Sequence, residues 1–331
     1  MSRVLLADIG GTNARFALGD PARTSPPYIE EVRAFEVAGF ASLAAAARHY
    51  LGEVGAARGE LAGGVFALAG RIDGDEARIT NHPWTISRAR TQEELALPRL
   101  RLVNDFAAQA MAVRLLGEAD LASIGPLRWH PSSAPSRTYA VLGPGTGLGV
   151  GALIVRDGRA YALETEGGHV SFAAGNDEEA HLLDRMTQRF GRVSNERLVS
   201  GSGLVNIHQA LDEMAGDLPR ELQPQDVTAG AAAGDARCRH AMDVFCAVFG
   251  AIAGDLALTL GAWDGVFLTG GLVPRLLEEL RASAFRRRFE AKGRFSEAMA
   301  RVPTVAVLHP QAGLLGAAAF ARDDAGNGIL K

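Results

Sequence analysis

Residues 3–20 read RVLLADIGGTNARFALGD, and the fold turns on how this stretch is interpreted. Val4–Ala7 is a short continuous apolar run, the pattern of a strand buried on both faces. It ends in Asp8, Ile9 leads into Gly10, Gly11, Thr12 and Asn13, and Ala14–Leu18 resumes strand character. The order is strand, glycine turn, strand. A dinucleotide fingerprint or a P-loop needs its glycine turn to open a helix that holds phosphate, so neither applies here. Two adjacent glycines leave backbone N–H groups open and let a bulky anion approach the main chain. Thr12 and Asn13 add side-chain donors, and Asp8 places a carboxylate where a phosphate-bound magnesium ion would sit. Taken alone, the same residues equally describe an ordinary hairpin turn.

The pattern returns roughly 135 residues later, which points to a duplicated domain rather than a solenoid. Tyr139–Leu142 is an apolar strand, GPGTGLG fills 143–149, and Val150–Val155 is again a strand. GPGTGLG does not satisfy G-x-G-x-x-G, and no G-x-x-x-x-G-K-[ST] occurs anywhere. A third glycine pair, Gly270–Gly271, ends the buried strand Val266–Thr269 and precedes a helix from Pro274. Between these turns, strands are expected over 28–37, 65–69, 77–84, 100–103, 159–164 and 305–308. Helices are expected over 42–54 (capped by Ser42), 87–96, 107–116, 177–190, after Ser202, 236–262 and 311–322. Residues 125–138, with three prolines and several serines, read as a linker or exposed loop. Three sequential strands followed by alternating strands and helices make a mixed α/β sheet.

The chain has 331 residues, 47% hydrophobic and 22% charged, enough for two domains with a real core. A net charge of −4 argues against a general nucleic-acid binder. The arginine-rich segment from Arg281 to Arg294 reads as a solvated helix face. Cys238 and Cys246 form no disulfide framework and no zinc pattern, so reduced thiols and a cytoplasmic location are expected. Asp8 interrupts the first apolar run too early for a signal peptide. Val244–Trp263 is long and apolar enough to span a bilayer. Asp255 near its middle would cost roughly 2.5–3.5 kcal/mol there, so a buried core helix, with no membrane partner, is expected.

DIGGTNAR, LVNDF, GPGTGLG, EGGHVSF, ERLVSGSGL and LTGGLVPR, in this order and spacing, resemble the bacterial ATP-dependent glucokinase family over nearly the whole chain. The resemblance implies a two-domain actin-like (ribonuclease H-like) ATPase fold, of the actin–hexokinase–Hsp70 superfamily. In it two phosphate hairpins face each other across an interdomain cleft that closes on its substrates. A small α/β domain would comprise 1–115 plus 309–331, with the last helix folded back onto it, and a large one 116–308. The implied reaction transfers the γ-phosphoryl group of ATP to the 6-hydroxyl of D-glucose, the first step of glycolysis. Asp105 would be the general base, although an Asp at a strand-to-helix junction is also a good helix cap. Asn104, Asp105, Glu166, His169 and Glu196 would contact glucose, while Glu164 is set aside. Spacing alone makes His169 a surface histidine and Glu196 a helix-face carboxylate. Asp8, Gly10, Gly11, Thr12, Asn13, Gly145, Thr146, Gly147, Gly270 and Gly271 would bind ATP, with Asp8 anchoring Mg²⁺ through water. A homodimer is also implied.

Two departures from the related repressor–kinase family stand out. No cysteine-rich zinc motif follows His169, where VSFAAGNDEEAH stands. With the hairpin beginning at residue 3, no preceding DNA-binding helix pair is expected. Other readings are a kinase for mannose or an N-acetylated amino sugar, a sensor that has lost catalysis, and an ATPase or polyphosphate hydrolase. Asp105 speaks against the sensor, and Glu166, His169 and Glu196 against the hydrolase.

Overall fold

The computed structural model describes residues 3–56, 58–79 and 82–327. Thr80 and Asn81, inside the segment expected as a strand and turn over 77–84, lie outside the described residues. Packing divides the chain into two units. One holds the residues up to Gly117, Ala160–Glu164 and those from His309 onward; the other holds Glu118–Arg159 and Thr165–Leu308.

The first unit opens with β1 (Arg3–Ile9), β2 (Asn13–Gly19) and β3 (Ile29–Glu36), followed by α1 (Leu43–Glu53) and β4 (Leu61–Leu68). Ser42 caps α1 as expected, its hydroxyl accepting from the Ala45 N–H at 3.1 Å. A small antiparallel sheet follows, of β5 (Ile72–Asp73), β6 (Glu76–Arg78) and β7 (Thr85–Ser87). Then come α2 (Arg88–Glu94), β8 (Leu100–Asn104) and α3 (Asp105–Ala112). The main sheet runs β3-β2-β1-β4-β8. β1 and β2 are antiparallel, with Asp8 opposite Arg15, whereas β1, β4 and β8 are parallel. Val4–Ala7 is fully buried, as a strand covered on both faces requires, and Leu5, Phe16, Tyr50 and Phe66 fill the core around it.

The second unit repeats the plan. β9 (Leu121–Ser123) precedes β10 (Arg137–Pro144), β11 (Leu148–Arg156) and β12 (Arg159–Thr165), the last a strand of this sheet whose residues Ala160–Glu164 group with the first unit. Four helices follow: α4 (Asp177–Phe190), α5 (Gly201–Met214), α6 (Pro224–Ala232) and α7 (Ala236–Leu260). β13 (Gly265–Leu268), α8 (Leu277–Ala282), α9 (Phe285–Glu290), α10 (Ser296–Ala300) and β14 (Thr304–Val307) complete it. The strand order β12-β11-β10-β13-β14-β9 matches that of the first sheet, with β9 added antiparallel at one edge. The sequence repeat is thus a repeat of sheet topology.

α7 is the core helix of this unit, with 72% of its most apolar window buried within the chain. Asp235 caps its start, and Gly261, in the left-handed conformation at φ +64°, ends it. Gly250 and Gly254 let α9 approach so closely that a Cβ would overlap the Phe285 and Phe289 carbonyls. Cys238 and Cys246 are both free and buried on α7, and burial pushes the Cys246 thiol up to about 12.

Two expectations need correction. Residues 281–294 are not one solvated face: Arg286, only 12% exposed, pairs with Glu290 and donates to Val302 O, and Arg288 pairs with the buried Glu179 at 2.9 Å. α6 was not anticipated, although Pro224 at its first position and the Gln223 N–H on Asp226 Oδ2 at 2.7 Å are proper start signals. The last helix, α11 (Ala312–Gly326), belongs to the first unit and runs past the expected 322. Gly316 lets it lie directly against Ala108 of α3, where a Cβ would overlap the carbonyl.

Candidate functional site

In the first unit, the parallel strands carry the expected residues at one common edge. Ile9 of β1 is opposite Leu68 of β4, which is opposite Asn104 of β8. Two strand spacings, roughly 10 Å, therefore separate the two ends. The carboxyl edge of parallel strands is where open α/β sheets hold ligands.

Asp8 is largely buried and meets one cation, Arg15 Nη1, at 3.3 Å across the hairpin. Burial pushes its carboxyl above the usual range, and Arg15 opposes that shift. The first turn of α11 packs against it, for a Cβ on Gly313 would stand 2.6 Å from Asp8 Cγ. In the turn, the Gly10 N–H donates to Asn13 O at 2.9 Å, and the Val37 N–H donates to Thr12 O at 2.9 Å. Among the described residues the amides of Gly11 and Thr12 take no acceptor. Also among the described residues, no group of three or more His, Cys, Asp or Glu could hold a metal. The Asp8 carboxylate beside a turn with open amides is still a donor set that fits Mg²⁺, an ion that keeps several waters and binds through one or two carboxylates plus substrate phosphates.

At the end of β8 the structure reassigns the cap. α3 starts at Asp105, not Ala107, and Asn104 is its N-cap. Asn104 Oδ1 accepts from the Phe106 and Ala107 N–H groups at 2.8 and 3.2 Å, and its Nδ2 reaches Gly70 O at 3.5 Å. Asp105 Oδ1 accepts from the Phe106 N–H at 3.0 Å. Glu164, set aside on sequence grounds, accepts from the Asn104 N–H at 3.5 Å. Arg15 and Gly313 were also missed; only the DIGGTNAR pattern and a glycine at a helix start could have signalled them.

In the second unit, residues 144–148 form the turn between β10 and β11, closed by the Gly145 N–H on Gly147 O at 2.7 Å. Gly143 backs onto Thr269 so tightly that a Cβ would overlap its carbonyl, and the Thr269 N–H donates to Leu142 O at 2.9 Å. Gly270, at φ +89°, faces Pro144 O, while Gly271 looks into open space. The glycine pair thus stands beside the hairpin, and a single 3₁₀ turn, Pro274–Leu276, separates it from α8.

Glu166 and His169 bracket another tight turn, in which the His169 N–H donates to Glu166 O at 2.9 Å. Gly168 presses this turn onto Leu148 of β11, where a side chain would overlap the carbonyl. The Asn195 N–H donates to Val170 O at 2.9 Å and the Phe172 N–H to Val193 O at 3.0 Å, which brings the Glu196 turn alongside. Glu196 is not a free helix-face carboxylate. Its Oε2 accepts from the Leu148 N–H at 2.9 Å, and a Cβ on Gly147 would overlap it. A second bond, from the Gly201 N–H to Gly145 O at 2.9 Å, ties the start of α5 to the same hairpin. Glu166, His169, Glu196, Gly145, Thr146, Gly147, Gly270 and Gly271 therefore share one unit, and Asp8, Gly10–Asn13, Asn104 and Asp105 share the other.

A glucokinase family model matches residues 5–324. A glucokinase of Stenotrophomonas maltophilia is 62% identical over 97% of this chain and 95% of its own. The crystal structure of a glucokinase from an Antarctic psychrotroph, 34% identical, superposes with a TM-score of 0.87 over 98% of this chain and 99% of that one. The glucose complex of a Balamuthia mandrillaris glucokinase shares the fold at 22% identity, with a TM-score of 0.72 over 97% and 94% of the two chains. A family match across almost the whole sequence, with a near relative of full length, settles the assignment: the chain belongs to the glucokinase family.

Proposed function

We propose that the chain transfers the γ-phosphoryl group of ATP to the 6-hydroxyl of D-glucose, giving glucose 6-phosphate and ADP, with Asp105 as the general base. The observation that carries the residue assignment is the division of labour at the start of α3. Asn104 takes the helix cap, so the Asp105 carboxylate is not needed for that duty.

Phosphoryl transfer asks for positioning and charge neutralisation more than for covalent chemistry. The open amides of Gly11 and Thr12, and the Gly145–Gly147 turn with Thr146, offer donors to phosphate oxygens. Gly270 and Gly271 leave room for the adenosine. Asn13 adds a side-chain amide. Glu166, His169 and Glu196 read the sugar hydroxyls, for which carboxylates suit two neighbouring groups at once, and Asn104, whose Oδ1 holds the cap, contributes the remaining hydrogen of its Nδ2. Glu196 has one oxygen on Leu148 and offers the other. When bound, Mg²⁺ held by Asp8 through water would supply charge neutralisation at the phosphates. Asp105 accepts the proton of the 6-hydroxyl as its oxygen attacks.

The reading extends to an actin-like ATPase fold with a small domain of 1–115 plus 309–331 and a large one of 116–308, supported by the strand order that occurs twice. A homodimer in the cytoplasm rests on the family resemblance.

The test is glucose-dependent ADP formation by Asp105→Asn. Loss of the base is expected to lower kcat by about 10²–10⁴. Glucose binding and Tm should stay near wild type, because Asn104 holds the cap. Unchanged kcat would remove Asp105 from the mechanism, and activity on another hexose in preference to glucose would redirect the substrate.

A further inference from the structure

A cavity of about 690 Å³ opens beside β8, the edge strand of the first sheet, with α2 and the end of α11 contributing to its wall. That volume lies in the roughly 300–1,000 Å³ range of small-molecule sites. Its walls include Gly64 and Leu100, which are register partners four residues before Leu68 and Asn104. At about 3.3 Å per residue, the cavity spans β8 from Leu100 to Leu102, from roughly 13 Å to roughly 7 Å along the strand from the edge that carries Asp8 and Asn104. It is a separate place in the unit.

Three arginines line it, Arg88, Arg99 and Arg101. Arg101 is pre-organised. Its guanidinium lies 4.4 Å above the Phe320 ring, and Nη1 donates to Oδ1 of the buried Asp324 at 2.6 Å. That leaves the rest of a rigid, planar donor fork, on a side chain 44% exposed. Arg99 has no side-chain hydrogen bond or ion pair among the described residues. Among the described residues Arg88 pairs with Asp75, at 3.2 Å and in solvent, a pairing of little strength. Counting both carboxylates, the three guanidiniums still leave positive charge in excess. Leu100 and Leu102 give the same cavity an apolar wall.

We propose that this cavity is a second small-molecule site, which binds a phosphomonoester by its phosphate on Arg88, Arg99 and Arg101 and by its organic part on Leu100 and Leu102. Guanidinium forks match the geometry of phosphate oxygens. The doubly charged phosphate group uses several cations where a carboxylate uses one. The volume far exceeds a bare phosphate, which is why the ligand carries an organic body.

Isothermal titration of the full chain with phenyl phosphate, inorganic phosphate and benzoate tests this. Phenyl phosphate should bind saturably and at least about tenfold more tightly than either control, the step set by one charge-assisted contact or one buried apolar face. The double variant R88A/R99A removes two exposed side chains and should weaken phenyl phosphate by about tenfold or more, with glucose kinase activity and Tm unchanged. Absence of saturable binding, or binding indifferent to R88A/R99A, overturns the site. Equal affinity for inorganic phosphate or for benzoate overturns the choice of a phosphomonoester.

Discussion

The two glycine hairpins sit in the same strand order, yet they are held in different ways. The first, around Gly10–Asn13, is braced at its flanks: Asp8 pairs with Arg15, the Val37 N–H holds Thr12 O, and the glycine that makes room for the Asp8 carboxylate, Gly313, lies on another element. A Cβ on Gly10 would meet nothing nearer than Asn13 O at 3.7 Å, an ordinary contact. In the second hairpin the accommodating glycine is in the turn itself. Gly147 admits the Glu196 carboxylate, which takes the Leu148 N–H, and Gly201 holds Gly145 O. One turn is kept open by surroundings that stand back from it. The other is bolted to the segment that carries a candidate sugar ligand. A glycine pair in a sequence can therefore mean free space for a ligand or space already filled by a protein group, and only the neighbours tell which.

The sharpest way to break this contrast is the same substitution in both turns. Gly147→Ala forces Glu196 or the turn to move, and a displacement of about 1 Å at a positioning element can cost roughly 10²-fold in kcat/KM. Overpacking should also cost about 1–3 kcal/mol, read as a lower Tm. Gly10→Ala should leave Tm where it is and raise only the KM for ATP. If both variants lose Tm equally, the hairpins are not held differently.

A smaller effect separates the two duties of Glu196. Glu196→Ala leaves the Leu148 N–H without its acceptor, at about 1.4 kcal/mol, or roughly tenfold in KM for ATP. Glu196→Gln keeps an acceptor oxygen and should restore the ATP KM while the glucose KM stays raised. Should Gln fail to restore it, the tether acts through charge and not through the hydrogen bond.

Much of this arrangement was legible in the sequence. Val4–Ala7 and Tyr139–Leu142 were readable as buried strands because both faces of each are covered, so the apolar runs are unbroken. The fourteen-residue α4 matched its expected span, with Asn176 capping it. Asp105 and Asn104 were readable as a strand-to-helix junction, but not which of them caps, because the two side chains are chemically alike at that position and one residue of helix start decides it. Glu196 was opaque for another reason: its partner Leu148 is 48 residues away and offers a backbone amide, which no residue type advertises. Arg286 misled in the same manner, since an arginine that ends on the carbonyls of Met299, Ala300 and Val302 looks like surface charge in one dimension.

The gentlest test of the contrast uses pH. His208 is buried on α5, the helix whose first residue, Gly201, bonds to the second hairpin. Its Nε2 lies 2.6 Å from Arg220 Nη2, which can only donate, so the neutral ring carries its proton on Nδ1, 3.3 Å from Asp212. Burial holds the imidazole below its ordinary 6.5; Asp212 and Asp235 oppose that shift, and Arg220 and Arg237 add to it. A depressed value in the folded chain means that the unfolded chain binds the proton first. The stabilisation is therefore complete above 6.5 and is lost as pH falls through that value toward the folded one. Tm should decline between about pH 7.5 and 5, and His208→Gln, which keeps an acceptor for Arg220 but does not titrate, should flatten that decline. The accompanying rise in KM for ATP at low pH should disappear in the same variant, since α5 begins at Gly201, whose N–H holds Gly145 O of the second hairpin. Parallel slopes for wild type and His208→Gln would place the acid sensitivity elsewhere and leave the two hairpins equal in this respect.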